Sequence, residues 1–254
     1  MQTKMFSFGL FAVSAFLWHG VSGADGVSVS VMEGDSVTLH TDVETNQQEN
    51  IKWYFNNTLI ARINGNLSDT CTDVQCNEGT ERFRDRLQLD NQTGSLTIMN
   101  INTTHSEKYT LQVIRGSNNE TIFNVTVIDV SAAELYEICV KAGENVTLDA
   151  GVIKNPIDLM TWYFNDICIV EITEDQSRIC TDDQVNNSNE TFRGRLEVNQ
   201  TGSLTITNTR SEDSGVYKLQ INSSRFSIVR SFRVTVTGPP SGIRMTVFRC
   251  RSFT

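Results

Sequence analysis

Long apolar runs and basic clusters are scarce in this chain of 254 residues. After the first 23 residues no segment contains 18 consecutive apolar residues, so we expect no transmembrane segment. Asp and Glu total 30 against 21 Lys and Arg, and no basic cluster occurs. An acidic chain without such a cluster is a poor binder of phosphate backbones, so no nucleic-acid partner is expected.

Groups that carry catalysis are equally scarce. The chain has three histidines, and no nucleophile elbow, phosphate loop or paired CxxC zinc pattern occurs. His40 lies on a predicted strand beside Leu39, where the alternation predicts a solvent-exposed side chain. We therefore expect no enzyme, no cofactor or metal and no small-molecule substrate.

The N-terminus predicts a secreted protein. Lys4 precedes an apolar run over residues 6–17, and small residues follow at Val21-Ser22-Gly23. This pattern indicates a signal peptide over residues 1–23, since an uncleaved anchor needs about 20 apolar residues. Residues 238–254 lack the hydrophobic end of a lipid-anchor signal and are predicted to be a disordered tail. The expected location is extracellular or the external side of the plasma membrane.

Asparagine supports the same compartment. Sequons for N-linked glycosylation are too numerous to be chance matches, although some will be unused. They lie at Asn56, Asn66, Asn91, Asn102, Asn119, Asn124, Asn145, Asn186, Asn189, Asn199 and Asn222.

An internal repeat sets the domain organisation. The segment Lys52–Asn56 recurs 109 positions later as Thr161–Asn165, and NQTGSLTI from Asn91 recurs from Asn199. A repeat this long indicates a duplicated domain rather than a short-period solenoid. The predicted domains span residues 24–130 and 131–237.

Each copy is predicted to be a β-structure. Short runs such as Ser36–Leu39 and Ser203–Ile206 alternate polar and apolar residues, and turn-forming residues such as Gly94 and Gly202 separate them. Period-two alternation places one face of a strand on a core and the other in solvent. The fold class is all-β.

Recurring motifs resemble the immunoglobulin superfamily. Trp53 and Trp162 resemble its buried strand C tryptophan, the Gly-Ser-Leu-Thr-Ile segments resemble strand E, and Glu212–Tyr217 resembles the E–F corner. The resemblance implies two tandem immunoglobulin-like variable-type β-sandwiches. The interval between the expected strand B and strand F cysteine positions is 70 residues in one copy and 69 in the other, which leaves room for strands C′ and C″.

Both inter-sheet disulfides of that family are missing. Thr41 and Leu111 hold the two positions in the first copy, and Ala150 and Leu219 hold them in the second. In an oxidising compartment the remaining cysteines should pair. Plausible pairs are Cys71 with Cys76 and Cys168 with Cys180; Cys139 and Cys250 pair with each other, or Cys250 links to another chain.

The E–F corner differs between the copies. Arg195 is the expected partner of Asp213, whereas Arg86 faces His105 at the aligned position. Two interpretations stay open for His105, namely a pH-sensitive corner and simple sequence drift.

Variable-type domains bind through the sheet formed by strands G, F, C, C′ and C″. Alternation predicts that Trp53 and Tyr109 point inward, and it leaves a mixed charged and aromatic patch outside. The patch consists of Lys52, Tyr54, Arg62, Thr110 and Gln112. The alternative is ordinary solvated surface, and a glycan on Asn124 would shield part of the face.

The first copy also resembles the signalling lymphocyte activation molecule (SLAM) family, whose distal domain lacks the inter-sheet disulfide and is heavily glycosylated. That resemblance implies leukocyte adhesion and co-stimulation through homophilic or related immunoglobulin-domain contacts. The second copy departs from the family, whose second domain is constant-type and disulfide-rich. Two alternatives are a secreted decoy or ligand and a non-immune adhesion ectodomain.

The missing disulfides predict modest thermal stability. A cross-link closing a loop of about 70 residues is worth about 4 kcal/mol in the chain-entropy account. We expect the deglycosylated protein to unfold below about 75 °C in calorimetry, and a higher midpoint would contradict this expectation.

Overall fold

A computed structural model describes residues 26–41, 50–64, 67–70, 80–115, 117–129, 137–151, 158–173, 177–180 and 191–238. Within these ranges the strands of the first half are β1 Val27–Met32, β2 Ser36–Leu39, β3 Asn50–Phe55, β4 Thr58–Asn64, β5 Leu67–Thr70, β6 Leu87–Leu89, β7 Leu96–Ile98, β8 Glu107–Arg115 and β9 Ser117–Ile128. The described strands of the second half are β10 Glu137–Lys141, β11 Val146–Leu148, β12 Leu159–Phe164, β13 Ile167–Ile172, β14 Ser177–Ile179, β15 Leu196–Val198, β16 Leu204–Ile206, β17 Gly215–Asn222 and β18 Phe226–Thr237.

Short 3-10 helices complete the described structure, at Glu81–Phe83, Thr103–His105 and Ser211–Asp213. None of the helices in the described ranges has the length and apolar character needed to cross a membrane.

The two halves share one topology. In the first half one sheet has the order β1-β9-β8-β3-β4-β5, and β2, β7 and β6 form the opposing layer. In the second half β10, β18, β17, β12, β13 and β14 correspond to the first sheet, and β11, β16 and β15 correspond to the other. The all-β prediction and the tandem sandwich architecture are confirmed, including the extra strands of the variable type.

The core of each sandwich is built around a tryptophan. Trp53 lies 5.6 Å from the Phe123 ring, and Trp162 lies 5.5 Å from the Phe232 ring. Both indole N–H groups donate to a glycine carbonyl on the opposing layer at 2.9 Å. The second acceptor, Gly202, has a φ of +83°. Glycine is favoured at this turn, because a residue with a side chain would be strained at this φ.

The sheets of the two halves are joined edge to edge. Strand β1 runs parallel to β9 rather than beside β2, which leaves the outer edge of β2 open. The first part of β18 fills this edge as an antiparallel strand, with Phe226 opposite Leu39 and Val229 opposite Ser36. This β2–β18 ladder supplies backbone partners to an edge that would otherwise invite other strands.

A buried ion pair clamps the ladder. The Arg230 guanidinium donates to both Asp35 oxygens, at 2.9 and 2.6 Å, and also to the Ala150 carbonyl. Arg230 is 3% exposed and Asp35 is fully buried. Bidentate geometry of this kind supplies both strength and orientation. Gly151, beside the Met32 side chain, has a φ of +73°, a backbone conformation in which a residue with a side chain would be strained.

The prediction that the His40 side chain is solvent-exposed is wrong. Its side chain is half-buried instead of solvent-exposed, because the imidazole Nε2 lies 2.7 Å from the Ser227 hydroxyl of the second half. Its backbone N–H donates to the Arg225 carbonyl at 2.9 Å. The strand alternation was correct, but a neighbouring domain covers the outer face.

Some predictions fall outside the described residues. The signal peptide over residues 1–23 and most of the tail over residues 238–254 are among them. The domain boundary at 130–131 also lies in such a segment and stays a prediction.

Arg230 tests the joint between the domains. Replacing it with Ala leaves the Asp35 carboxylate buried without its cation, a change that costs about 3–5 kcal/mol in comparable pairs. We expect Arg230→Ala to lower the unfolding midpoint in calorimetry and to separate the transitions of the two domains. Arg233→Ala is the matched control, because Arg233 is an exposed residue of the same strand. Equal midpoints for the two variants would contradict the assignment.

Candidate binding face

The five predicted patch residues lie together on one sheet face. Lys52 on β3 is directly opposite Gln112 on β8 and Arg62 on β4. Tyr54, two positions along β3, is opposite Thr110. Arg62 is exposed and the other four side chains are half-buried. The name binding face is used below for Lys52, Tyr54, Arg62, Thr110 and Gln112.

The core beneath determines which side chains form the binding face. Trp53, Tyr109 and Leu111 alternate with its members and are buried, at 1% exposure or less. Phe55 packs edge-on against Phe83 and Tyr109, with ring centroids 5.0 and 5.2 Å apart. Since successive strand residues point to opposite sides, this packing fixes the outward direction of the binding face.

Neighbours on β9 extend the face. Ile122 is opposite Thr110, and Glu120 is opposite Gln112 and accepts a 2.7 Å hydrogen bond from its side-chain amide. Asn124 is exposed and lies opposite Lys108, at one margin of the face. The sequence analysis omitted Glu120 and Ile122, although the same alternation along β9 could have found them.

The second domain carries a different face at the equivalent positions. Glu171 replaces Arg62 and accepts hydrogen bonds from Arg178, while Lys218 replaces Thr110 and lies 2.6 Å from Asp166. Thr161, at the position of Lys52, is only 3% exposed. The two faces therefore differ in charge and in accessibility.

The predicted disulfide between Cys168 and Cys180 is confirmed, and it links β13 to the residue after β14. These cysteines cluster with Glu171, but their sulfurs are bonded to each other and have no thiolate to offer a metal. Cys139 is also disulfide-bonded. Cys71, Cys76 and Cys250 lie outside the described residues.

The predicted sequons divide by exposure. The asparagine side chain is exposed at Asn56, Asn91, Asn119, Asn124, Asn145 and Asn199, and half-buried at Asn102 and Asn222. Asn66, Asn186 and Asn189 lie outside the described residues. Attachment of glycans at any of these positions stays a prediction.

The inter-sheet disulfide positions are filled by packing. Leu111 is 1% exposed, and Ala150 and Leu219 are fully buried. Thr41 is 6% exposed, and its hydroxyl donates to the Thr93 carbonyl at 2.5 Å. The hydrogen bond satisfies a buried hydroxyl that would otherwise destabilise the core.

The E–F corner of the second domain has the predicted ion pair. Arg195 donates to both Asp213 oxygens at 2.7 Å, and both side chains are buried. The Tyr217 hydroxyl donates to the Asp213 carbonyl at 2.8 Å, as expected of a corner tyrosine. Burial raises the pKa of Tyr217, so its hydroxyl stays protonated.

His105 takes the place of that aspartate in the first domain. It is fully buried, with Nδ1 accepting from the Asn102 N–H at 3.0 Å and Nε2 donating to the Arg82 carbonyl at 2.8 Å. The Arg86 guanidinium donates a hydrogen bond to the Asn100 carbonyl instead. Burial, with smaller contributions from the charges of Arg86 and Arg82, lowers the pKa of His105 below its ordinary value of 6.5.

Comparison with known families agrees with this geometry. Residues 136–237 match the immunoglobulin V-set domain, and residues 24–114 match a second immunoglobulin domain family. The chain therefore carries domains of the immunoglobulin superfamily. No curated protein sequence matches it.

Several solved structures of immunoglobulin-type domains are similar to parts of this chain at low sequence identity. The first Ig-like domain of human CD48 antigen is 22% identical over 44% of this chain and 90% of that domain, with a TM-score of 0.36. The two tandem V-type regions of VCBP3, a v-region-containing chitin binding protein, are 13% identical over 84% of this chain and 98% of theirs, with a TM-score of 0.36. Drosophila OTK extracellular domains 3–5 are 16% identical, with a TM-score of 0.30, and the chain spans 63% of that fragment while 83% of the chain is covered. These likenesses concern the fold alone.

The buried His105 predicts a pH-dependent stability. Because its pKa is lower in the folded state, the unfolded chain binds more protons below pH 6.5, and stability falls as the pH drops through that value. We expect the unfolding midpoint to fall between pH 7.5 and 5.5, and His105→Asp to reduce this loss by supplying a carboxylate for Arg86. His40→Asn is the control and should keep the dependence. A midpoint equally pH-dependent in His105→Asp would contradict the role of His105.

Proposed function

We propose that this chain is an extracellular recognition module whose first domain binds another immunoglobulin-domain protein through the binding face. The observation that carries the proposal is the strand register, which brings all five residues onto one sheet face. The face combines an aromatic side chain, two cations and polar groups, and Tyr and Arg are frequent interface anchors. Domains of this superfamily are typically non-enzymatic, which is consistent with a binding role.

The cations of the face favour a partner that presents acidic groups opposite Lys52 and Arg62. These two residues are adjacent across the β3–β4 ladder, and Lys108 lies further along β8 on the same side. Glu120, opposite Gln112, gives the extended face a carboxylate of its own, so the partner is either a second copy or another immunoglobulin-domain protein.

The first domain is a better candidate than the second because its face is more accessible. In the second domain Thr161, at the position of Lys52, is only 3% exposed, so a partner can make little contact with it.

A leukocyte setting is the finer part of the proposal. It is supported by the SLAM-family resemblance of the first domain, with Thr41 and Leu111 in place of the inter-sheet disulfide. In this setting the chain acts in adhesion or co-stimulation. The two alternatives, a soluble decoy and a non-immune adhesion ectodomain, use the same face and differ in the cells that display the partner.

Charge reversal on the binding face tests the proposal. Multimers of the glycosylated chain are applied to leukocytes and, for comparison, to epithelial cells. We expect Lys52→Glu to weaken binding at least about tenfold and Tyr54→Ala to weaken it about thirtyfold, as for an anchor worth about 2 kcal/mol. Lys141→Glu is the matched control, because it makes the same charge change at an exposed position of the second domain.

The outcome is read from the three variants together. Loss of binding in Lys52→Glu and Tyr54→Ala, with Lys141→Glu unaffected, supports the assignment. Unchanged binding in the first two variants would show that another surface is used. Binding to epithelial cells in place of leukocytes would replace the leukocyte setting by general adhesion.

A further inference from the structure

The contact between the two domains can in principle repeat between molecules. It joins the free edge of β18 in the second domain to the free edge of β2 in the first domain, so the two surfaces are different. Because the domains are copies of each other, the first domain also has an edge equivalent to that of β18, and the second domain also has an edge equivalent to that of β2. Such a head-to-tail contact is open-ended unless something stops it.

The counterparts of the joined edges are both open in the described structure. Residues 117–120 of β9 correspond to the joined part of β18, and among the described residues they pair only with β8. Strand β11 corresponds to β2 and pairs only with β16. Unpaired N–H and C=O groups along such edges favour strand addition from another chain.

Both open edges carry a sequon where the joined edges carry none. Asn119 is the counterpart of Ile228: Asn119 is opposite Val113 in the β8–β9 hairpin, and Ile228 is opposite Ile221 in the β17–β18 hairpin. Ile228 is 2% exposed, and it lies opposite Val37 in the β2–β18 ladder. Asn119 is exposed.

Asn145 is the counterpart of Ser36 on the second open edge. Each accepts a hydrogen bond from an equivalent backbone N–H, of Asn208 at 3.0 Å and of Asn100 at 3.4 Å. The Asn145 bond uses Oδ1 and leaves Nδ2, the atom that carries an N-linked glycan. In the joined edge Ser36 lies directly opposite Val229 of the partner strand.

We propose that glycans on Asn119 and Asn145 cap the two open sheet edges and prevent the interdomain contact from repeating between copies of the chain. A branched glycan on either residue occupies the space that the incoming strand needs. Since each contact between molecules would use one edge of each kind, one glycan is enough to block it.

The charges of the open edges act in the same direction. On the open edges Glu144 takes the position of Asp35 and Thr121 takes the position of Arg230. The cation of the clamp is therefore missing there. Glu144 makes the same turn contact as Asp35, accepting from the Lys141 N–H at 3.2 Å, but it is exposed. In a contact between molecules Glu120, at the position of Val229, would approach Glu144, and the two carboxylates would repel each other.

The test uses glycan-removing variants of the secreted chain in sedimentation velocity. Asn119→Gln opens only the β9 edge and Asn145→Gln opens only the β11 edge, so each variant alone should sediment as the wild type does. Mixed together, they should form a complex of about twice the mass of either one, which cannot grow because its outer edges are still capped. The double variant should associate further as concentration rises, more strongly at high salt because salt screens the glutamates.

Glycopeptide mass spectrometry of the wild type should find both sites occupied. Asn91→Gln with Asn199→Gln is the matched control, which removes two exposed sequons in the turns before β7 and β16, away from both open edges and from the binding face, and should leave sedimentation unchanged. Adding Lys52→Glu to the double variant separates the two proposals, because association through the edges should survive it. An unoccupied Asn119 or Asn145, or a double variant that sediments like the wild type at every concentration, would overturn the proposal.

Discussion

The short ladder between Ser36–Leu39 and Phe226–Val229 determines how the two sandwiches sit together. It exists because β1 pairs with β9, which leaves the edge of β2 for a strand of the second domain. The buried pair of Asp35 and Arg230 adds direction to an otherwise non-specific edge contact. Since β2 belongs to the layer opposite the binding face, this joint leaves the binding face uncovered.

Duplication explains both the joint and the need to limit it. Two copies of one sandwich carry two versions of each edge, and only one combination is used within the chain. The used edges have Ile228 and Arg230, whereas their counterparts have Asn119 and Thr121. Differences of this kind match the ways in which natural sheets avoid edge-to-edge aggregation.

Much of each domain could be predicted from the sequence, because local patterns encode it. The alternation around Trp53 and Tyr109 predicts which residues form the core, and it therefore also predicts the outward residues of the binding face. The pair Arg195–Asp213 followed from the resemblance to variable-type domains, and the pair Cys168–Cys180 followed from the positions of these cysteines on either side of the predicted C′–C″ region. The joint did not follow, because alternation separates the two faces of a strand without showing what covers each face. Arg230 at an inward position was the available signal, since a buried cation needs a nearby carboxylate.

Hydrogen–deuterium exchange on the glycosylated chain tests the shared ladder most directly, because the molecule contains its own reference. The segment Phe226–Val229 is paired on both sides, while its counterpart Ser117–Glu120 is paired on one side only. Slower amide exchange in Phe226–Val229 and in Ser36–Leu39 than in Ser117–Glu120 is the result that the shared ladder predicts. Equally fast exchange in Phe226–Val229 and Ser117–Glu120 would contradict it and would mean that the two domains are not joined through their sheets.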